Sequence, residues 1–114
     1  MDDHQRIETG KHNLRPGRDY VSAAEIFQAL SDPSRVKIVD SLLHHELCTS
    51  DLAAICGLSE PAVSQHLRLL RTMRVVTGHR HGHRVFYTLS DGHVRSLLSM
   101  TMAHLKHEES PVLE

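Results

Sequence analysis

Apolar residues recur along this chain at helical spacing over most of its length, and that spacing gives way to an extended pattern only once, between residues 75 and 89. A first helical run starts near Tyr20 or Ser22, carries Ala24, Ile26, Phe27 and Leu30, and stops at Ser31. Asp32 followed by Pro33 opens the next, because the carboxylate caps exposed N–H groups and proline suits the first helical position. Its inward stripe is Val36, Ile38, Val39, Leu42 and Leu43. The stretch ELCTSDLAAICGLSEPAVSQHLRLLRTM then reads as a short helix, a turn and a longer helix. Thr49 or Ser50 caps the short one, which turns Leu52, Ala53 and Ile55 inward, and Gly57 supplies the left-handed residue that ends it. Ser59 caps the long one, Glu60 suits the positive end of its dipole, Pro61 sits in its first turn, and Ala62, Val63, Leu67, Leu70 and Met73 face the core.

Residues 75–78 and 84–89 form a two-stranded hairpin with Gly82 at its turn. Ser90 or Asp91 caps a last helix that runs through Val94, Leu97, Leu98, Met102 and Leu105 and ends around Glu108, Glu109, Ser110 and Pro111. The fold class is mainly α with a two-stranded β wing, a winged helix-turn-helix. Residues 1–18 are polar and lack apolar periodicity, which predicts a mobile arm; residues 19–109 make one DNA-binding and dimerisation domain, and residues 110–114 a tail.

Composition narrows this further. A chain of 114 residues supports one modest core, and with no Trp and 4% aromatics that core is aliphatic. No apolar run approaches the roughly 20 residues that cross a bilayer, and the first residues lack a signal-peptide pattern, so the expected location is the cytoplasm, away from membranes. Cys48 and Cys56 are then thiols rather than a disulfide framework. The net charge is only −1, yet between Ser59 and Arg84 the single acid, Glu60, stands against Arg68, Arg71, Arg74, Arg80 and Arg84, a local basic patch suited to nucleic acid.

Histidine is the outlier, with 11 in the chain, and four potential metal ligands fall around the last helix. Asp91 and His93 lie at its start, His104 and His107 one turn apart near its end. Eleven positions at about 1.5 Å each separate the two pairs by roughly 16 Å, and a metal–nitrogen bond is only about 2 Å long. One helix therefore cannot close both pairs on one ion. Two such helices packed antiparallel about a two-fold axis can, which predicts a homodimer with two equivalent inter-subunit sites.

In order and spacing, LSDPSRVKIVDSL, ELCTSDLA, LSEPAVSQHLRLLR, HGHRVFYTL and the DGH and HLKH of the terminal helix resemble the ArsR/SmtB family of winged-helix, metal-sensing transcriptional repressors, over residues 23–107. The resemblance implies a homodimer that binds double-stranded operator DNA without metal and releases it when metal binds. It implies that Ser64 and Gln65 meet base edges, with His66 and Arg68 beside them or on phosphates, and that Arg80 and Arg84 on the wing hold the flanking backbone or minor groove. Pro61 stands where many relatives have Ser. The same resemblance assigns Asp91, His93, His104 and His107 to a terminal-helix sensor; three imidazoles and one carboxylate suit Zn(II) or Co(II), and Ni(II) would draw further ligands from His4 or His12.

A second family site remains open, in which Cys48 and Asp51 bind metal with His4 or His12; otherwise Asp51 caps the short helix and Cys48 is a half-buried apolar group. The wing residues His79, His81 and His83, with Gly82 breaking their alternation, are expected to be DNA-facing or solvated. A thiol-responsive repressor using Cys48 and Cys56 and a metal-buffering protein are the alternatives. Nothing indicates an enzyme or an organic substrate, since there is no HExxH pattern and a site filled by four protein groups leaves no position for water.

Overall fold

The computed structural model describes residues 2–108, with side chains through Lys106. Among the described residues, six helices and three strands follow in the order α1 (Asp3–His12), α2 (Gly17–Ala29), α3 (Pro33–Ser41), β1 (Leu47–Cys48), α4 (Thr49–Cys56), α5 (Glu60–Thr72), β2 (Val76–His81), β3 (Arg84–Leu89) and α6 (Gly92–Glu108). The fold is a winged helix-turn-helix, in which α4, the turn at Gly57 and α5 form the helix-turn-helix and β2 and β3 form the wing.

The local start and stop signals act as their chemistry dictates. Asp32 accepts from the N–H groups of Ser34 and Arg35 at 2.8 and 3.2 Å and so begins α3, with Pro33 behind it. Ser59 accepts from the Ala62 N–H at 3.2 Å and begins α5. Gly57, at φ 67°, ends α4 in the left-handed conformation that a side chain would oppose. Apolar faces then converge: Ile38, Val39 and Leu42 of α3, Leu52 and Cys56 of α4, Val63, Leu67 and Leu70 of α5, and Val75, Val76, Tyr87 and Leu89 of the wing base form one core, with Leu98 of α6 against it.

Six expectations need correction, the first being the opening wing strand, which runs Val76–His81 rather than over 75–78. The segment read as an arm contains α1, nucleated by a capping box between Asp2 and Gln5, although none of its residues is buried. Helix α2 begins at Gly17 rather than near Tyr20, because Pro16 provides the extended residue ahead of it and Asp19 lies favourably in its first turn. The cap of α4 is neither Thr49 nor Ser50 but Cys48, whose N–H is held by Asp51 at 3.1 Å. Ile55 points outward and is 57% exposed. The wing also gains a strand: β1 pairs antiparallel with β3, Leu47 opposite Tyr87 and Cys48 opposite Phe86, giving the sheet order β1-β3-β2. The tail at 110–114 lies outside the described residues.

Helix α5 ends by reversing direction at Arg74, which has a φ of 60°, while the Val75 N–H reaches back to the Leu70 carbonyl at 2.8 Å. That left-handed position usually carries glycine, since a Cβ there costs roughly 1–2 kcal/mol, only partly offset by the entropy that glycine loses. Arg74→Gly is expected to raise stability by up to about 1 kcal/mol, read as a higher urea midpoint with an unchanged slope.

Candidate nucleic-acid interface and metal ligands

Burying Val63, Leu67 and Leu70 orients the rest of α5. Ser64, Gln65, Arg68 and Arg71 are exposed on its outer side, the positions from which side chains can meet a groove. His66 differs: it is half-buried, and its Nδ1 lies 3.5 Å from Nη1 of Arg35 on α3. On the wing, Arg80 and Arg84 are exposed, and the Arg84 charge is felt by Asp51. Two wing histidines are engaged within the sheet region. His79 Nε2 is 3.3 Å from Thr88 Oγ1, while His81 Nε2 is 2.9 Å from Glu46 Oε1 with its ring edge-on to Phe86. His83, beside the turn, is exposed.

At the start of α6, Asp91 Oδ1 accepts from the N–H groups of His93 and Val94 at 2.9 and 3.0 Å. These bonds, the one from Val94 foremost, hold the Asp91 carboxyl below the usual carboxylate range. Both use Oδ1, so Oδ2 is not spent on the cap. His93 Nδ1 lies 3.7 Å from Asp91 Oδ1, and the His93 side chain is 99% exposed. Sequence reasoning paired these two residues, and the structure brings them together. His104 is exposed eleven positions further along the same helix. The side chain of His107 lies outside the described residues. Among the described residues of the single chain, no three His, Cys, Asp or Glu side chains converge as a metal site.

The Asp91 end of α6 borders the end of α5. A cleft of about 490 Å³ there is lined by Arg71, Arg74, Thr77, Gly78, Ser90 and Asp91, among others. Gly78 lets the wing strands close beside it, since a Cβ would stand 3.1 Å from Val85 and 3.3 Å from Tyr87.

Cys48 and Asp51 are also adjacent, but as a helix cap: Asp51 Oδ2 receives the Cys48 N–H, which together with the Cys48 side chain lowers the Asp51 pKa. Cys48 Sγ is 3.1 Å from Ser50 Oγ and Cys56 Sγ is 3.6 Å from Ser41 Oγ, and both cysteines are buried. Eight positions of largely helical rise separate them by about 12 Å, beyond the roughly 7 Å between Cα atoms that a disulfide tolerates. His4 and His12 are exposed on α1. Sequence reasoning missed Arg35. Its one signal was a cation in the first turn of a helix, where the dipole opposes it and another partner must compensate.

Residues 32–77 match the family model described as bacterial regulatory protein, arsR family. The chain is 45% identical over 86 residues to the transcriptional repressor SmtB homolog of Synechocystis, covering 75% of this chain and 65% of that protein, just under two thirds of its length. It is 40% identical over 101 residues to the HTH-type transcriptional regulator NmtR of Mycobacterium tuberculosis, covering 86% of this chain and 84% of that one. Its fold is similar to the crystal structure of the AntR antimony-specific transcriptional repressor, with a TM-score of 0.77 and 25% identity over 87% of this chain and 90% of that chain.

Proposed function

The chain belongs to the ArsR family of bacterial regulatory proteins, and on that premise we propose that it is a metal-responsive transcriptional repressor, a homodimer that grips double-stranded operator DNA in the apo state and releases it on binding Zn(II) or Co(II), with Ni(II) as a further candidate. The family is one of DNA-binding transcriptional regulators rather than enzymes. The observation that carries the metal reading is the placement of Asp91 and His93 side by side at one end of α6 and of His104 at the other.

Three imidazoles and one carboxylate are a donor set that would suit Zn(II) or Co(II): Asp91 and the exposed His93 of one subunit would hold the ion together with His104 and His107 of the other. When bound, the ion supplies a cross-link between opposite ends of two α6 helices. The chain supplies the rest. Asp91 stays ionised because two backbone N–H groups hold its charge, and its cap fixes the first turn that carries His93. The exposed apolar side chains of α2 and α6, including Val21, Phe27, Met100 and Leu105, support pairing with a second copy. Asp91 lines one cleft with Arg71 and Arg74 at the end of α5, which supports the reading that a change in how two α6 helices meet bears on how two α5 helices are spaced.

On DNA, Ser64 and Gln65 read bases, Arg68 stands beside them, and Arg80 and Arg84 hold the backbone from the wing. His66 contributes from its half-buried position. With both thiols buried, a metal-responsive reading is favoured over a thiol-responsive one.

Subunit mixing tests the proposal. Asp91→Ala and His104→Ala homodimers each lose both sites, whereas the mixed dimer keeps one complete set, because the intact Asp91 of one chain faces the intact His104 of the other. Co(II) titration is expected to give tetrahedral absorption without strong thiolate charge transfer, lost in each variant and restored to about a quarter of the wild-type signal in an equal mixture, where about half of the dimers are mixed and each of those keeps one site of two. No recovery on mixing overturns inter-subunit ligation.

A further inference from the structure

Arg35 ties three helices together at one point. Its side chain is 17% exposed. Nε donates to the Ala29 carbonyl oxygen at 2.6 Å and Nη2 reaches the Gln28 carbonyl oxygen at 3.5 Å, both at the C-terminal end of α2. Nη1 is 3.5 Å from His66 Nδ1 on α5 and 3.9 Å from Asp32 Oδ2, the residue that caps α3. The last carbonyls of a helix have no partner within it, and a cation suits that end of the dipole. A planar guanidinium with several donors in a fixed fork can serve α2 and α5 at once, which a lysine ammonium on a flexible stem cannot.

The contacts have a direction. The α2 residues involved lie just after Ile26 and Phe27, both exposed apolar residues, and the α5 residue lies just after Ser64 and Gln65 on the outward face. With its guanidinium turned inward to carbonyls and an imidazole, Arg35 is placed to set helix orientation rather than to touch DNA.

We propose that Arg35 is a positioning residue for DNA reading: it seats His66, and with it the middle of α5, against the end of α2, so that the setting of the recognition helix follows the helix carrying the exposed apolar face. The inference rests on the DNA-binding reading above. It separates cleanly from a phosphate contact, because phosphate contacts bind all sequences alike and contribute to the salt dependence, whereas orientation affects only the discrimination among sequences.

The test compares wild type, Arg35→Gln, Arg35→Lys, His66→Gln and the Arg35→Gln/His66→Gln double variant. Each is titrated against a duplex that the wild type selects from a random pool and against an unrelated duplex, over a range of salt. Arg35→Gln is expected to lose roughly tenfold in affinity for the selected duplex, about 1.4 kcal/mol, with affinity for the unrelated duplex and the salt slope unchanged. Lys is expected not to restore it, and the double variant to be no worse than the single ones. Equal loss on both duplexes, a salt slope lower by about one and rescue by Lys mark a phosphate contact and overturn the proposal, as do additive losses in the cycle.

A second readout needs no DNA. The ring nitrogen resonances of His66 are expected to move in Arg35→Gln and to stay moved in Arg35→Lys; unmoved resonances overturn the proposal. If the wild type selects no duplex, the repressor reading fails, and the His66 resonances still decide on Arg35. If Arg35→Gln does not fold, Arg35→Lys carries the comparison and is expected to show the same selective loss, with an undiminished affinity for the selected duplex overturning the proposal.

Discussion

With His104 replaced by alanine, the protein is expected to bind its operator as the wild type does and to stay bound when zinc is added. His104 stands at the opposite end of α6 from Asp91 and His93, about eleven residues of helical rise away, so its place in the proposed site is to join one subunit to the other. Removing it leaves the outward face of α5 and the wing arginines untouched. What disappears is the differential affinity of metal for the released form, and a ligand with no such preference shifts no equilibrium however tightly it binds. Couplings of this kind amount to about 1–3 kcal/mol, a factor of roughly 5–150 in affinity. In fluorescence anisotropy with a labelled operator, the wild type is expected to lose affinity within that range on adding Zn(II), and the His104→Ala protein to change by less than about twofold. His45→Ala, altering an exposed histidine distant in sequence from the proposed ligands, serves as the control. Full metal release from the His104→Ala protein would refute the assignment of α6.

Leu70→Ala addresses the opposite side of the recognition helix. Leu70 is fully buried beside Leu67 and Val63, and its carbonyl receives the Val75 N–H that turns the chain into the wing. Truncating it removes apolar contacts and leaves a cavity that its neighbours only partly fill, at a cost of about 2–5 kcal/mol. For a domain of this size each kcal/mol lowers the melting temperature by roughly 4–8 °C, so a fall of at least about 8 °C is expected at equal protein concentration. Leu69→Ala, one position along and partly exposed, is expected to cost far less. Similar melting of the two variants would mean that α5 is not anchored through this seam.

The parts of the fold legible from sequence were those set within a few residues. The Asp32–Pro33 start, the Ser59 cap and the left-handed Gly57 are local bargains between a side chain or a φ angle and the adjacent backbone, and they recur in the structure. Contacts distant in sequence were not legible. Strand β1 is two residues long and exists only through pairing with β3, some forty positions away, so no periodicity could announce it. The same pairing turns the chain at Cys48 and makes that residue, rather than Thr49 or Ser50, the cap of α4.

The candidate site divides along the same line. Asp91 and His93 are neighbours in sequence and in space, and the rise of a helix set how far His104 stands from them. Arg35 and His66 meet across 31 positions, and only a charge placed against its own helix dipole hinted at the contact. Ile26, Phe27 and Ile55 follow the apolar stripe of their helices yet remain exposed, because periodicity identifies a face without saying what covers it.

The uncovered side chains of α2 and α6 bear on dosage. If operators recognise only paired chains, then below the self-association constant the paired form grows as the square of the amount synthesised. Halving expression in that regime would quarter the paired form, and a gene under this control would escape silencing more steeply than cells dilute the protein, even with no ion present.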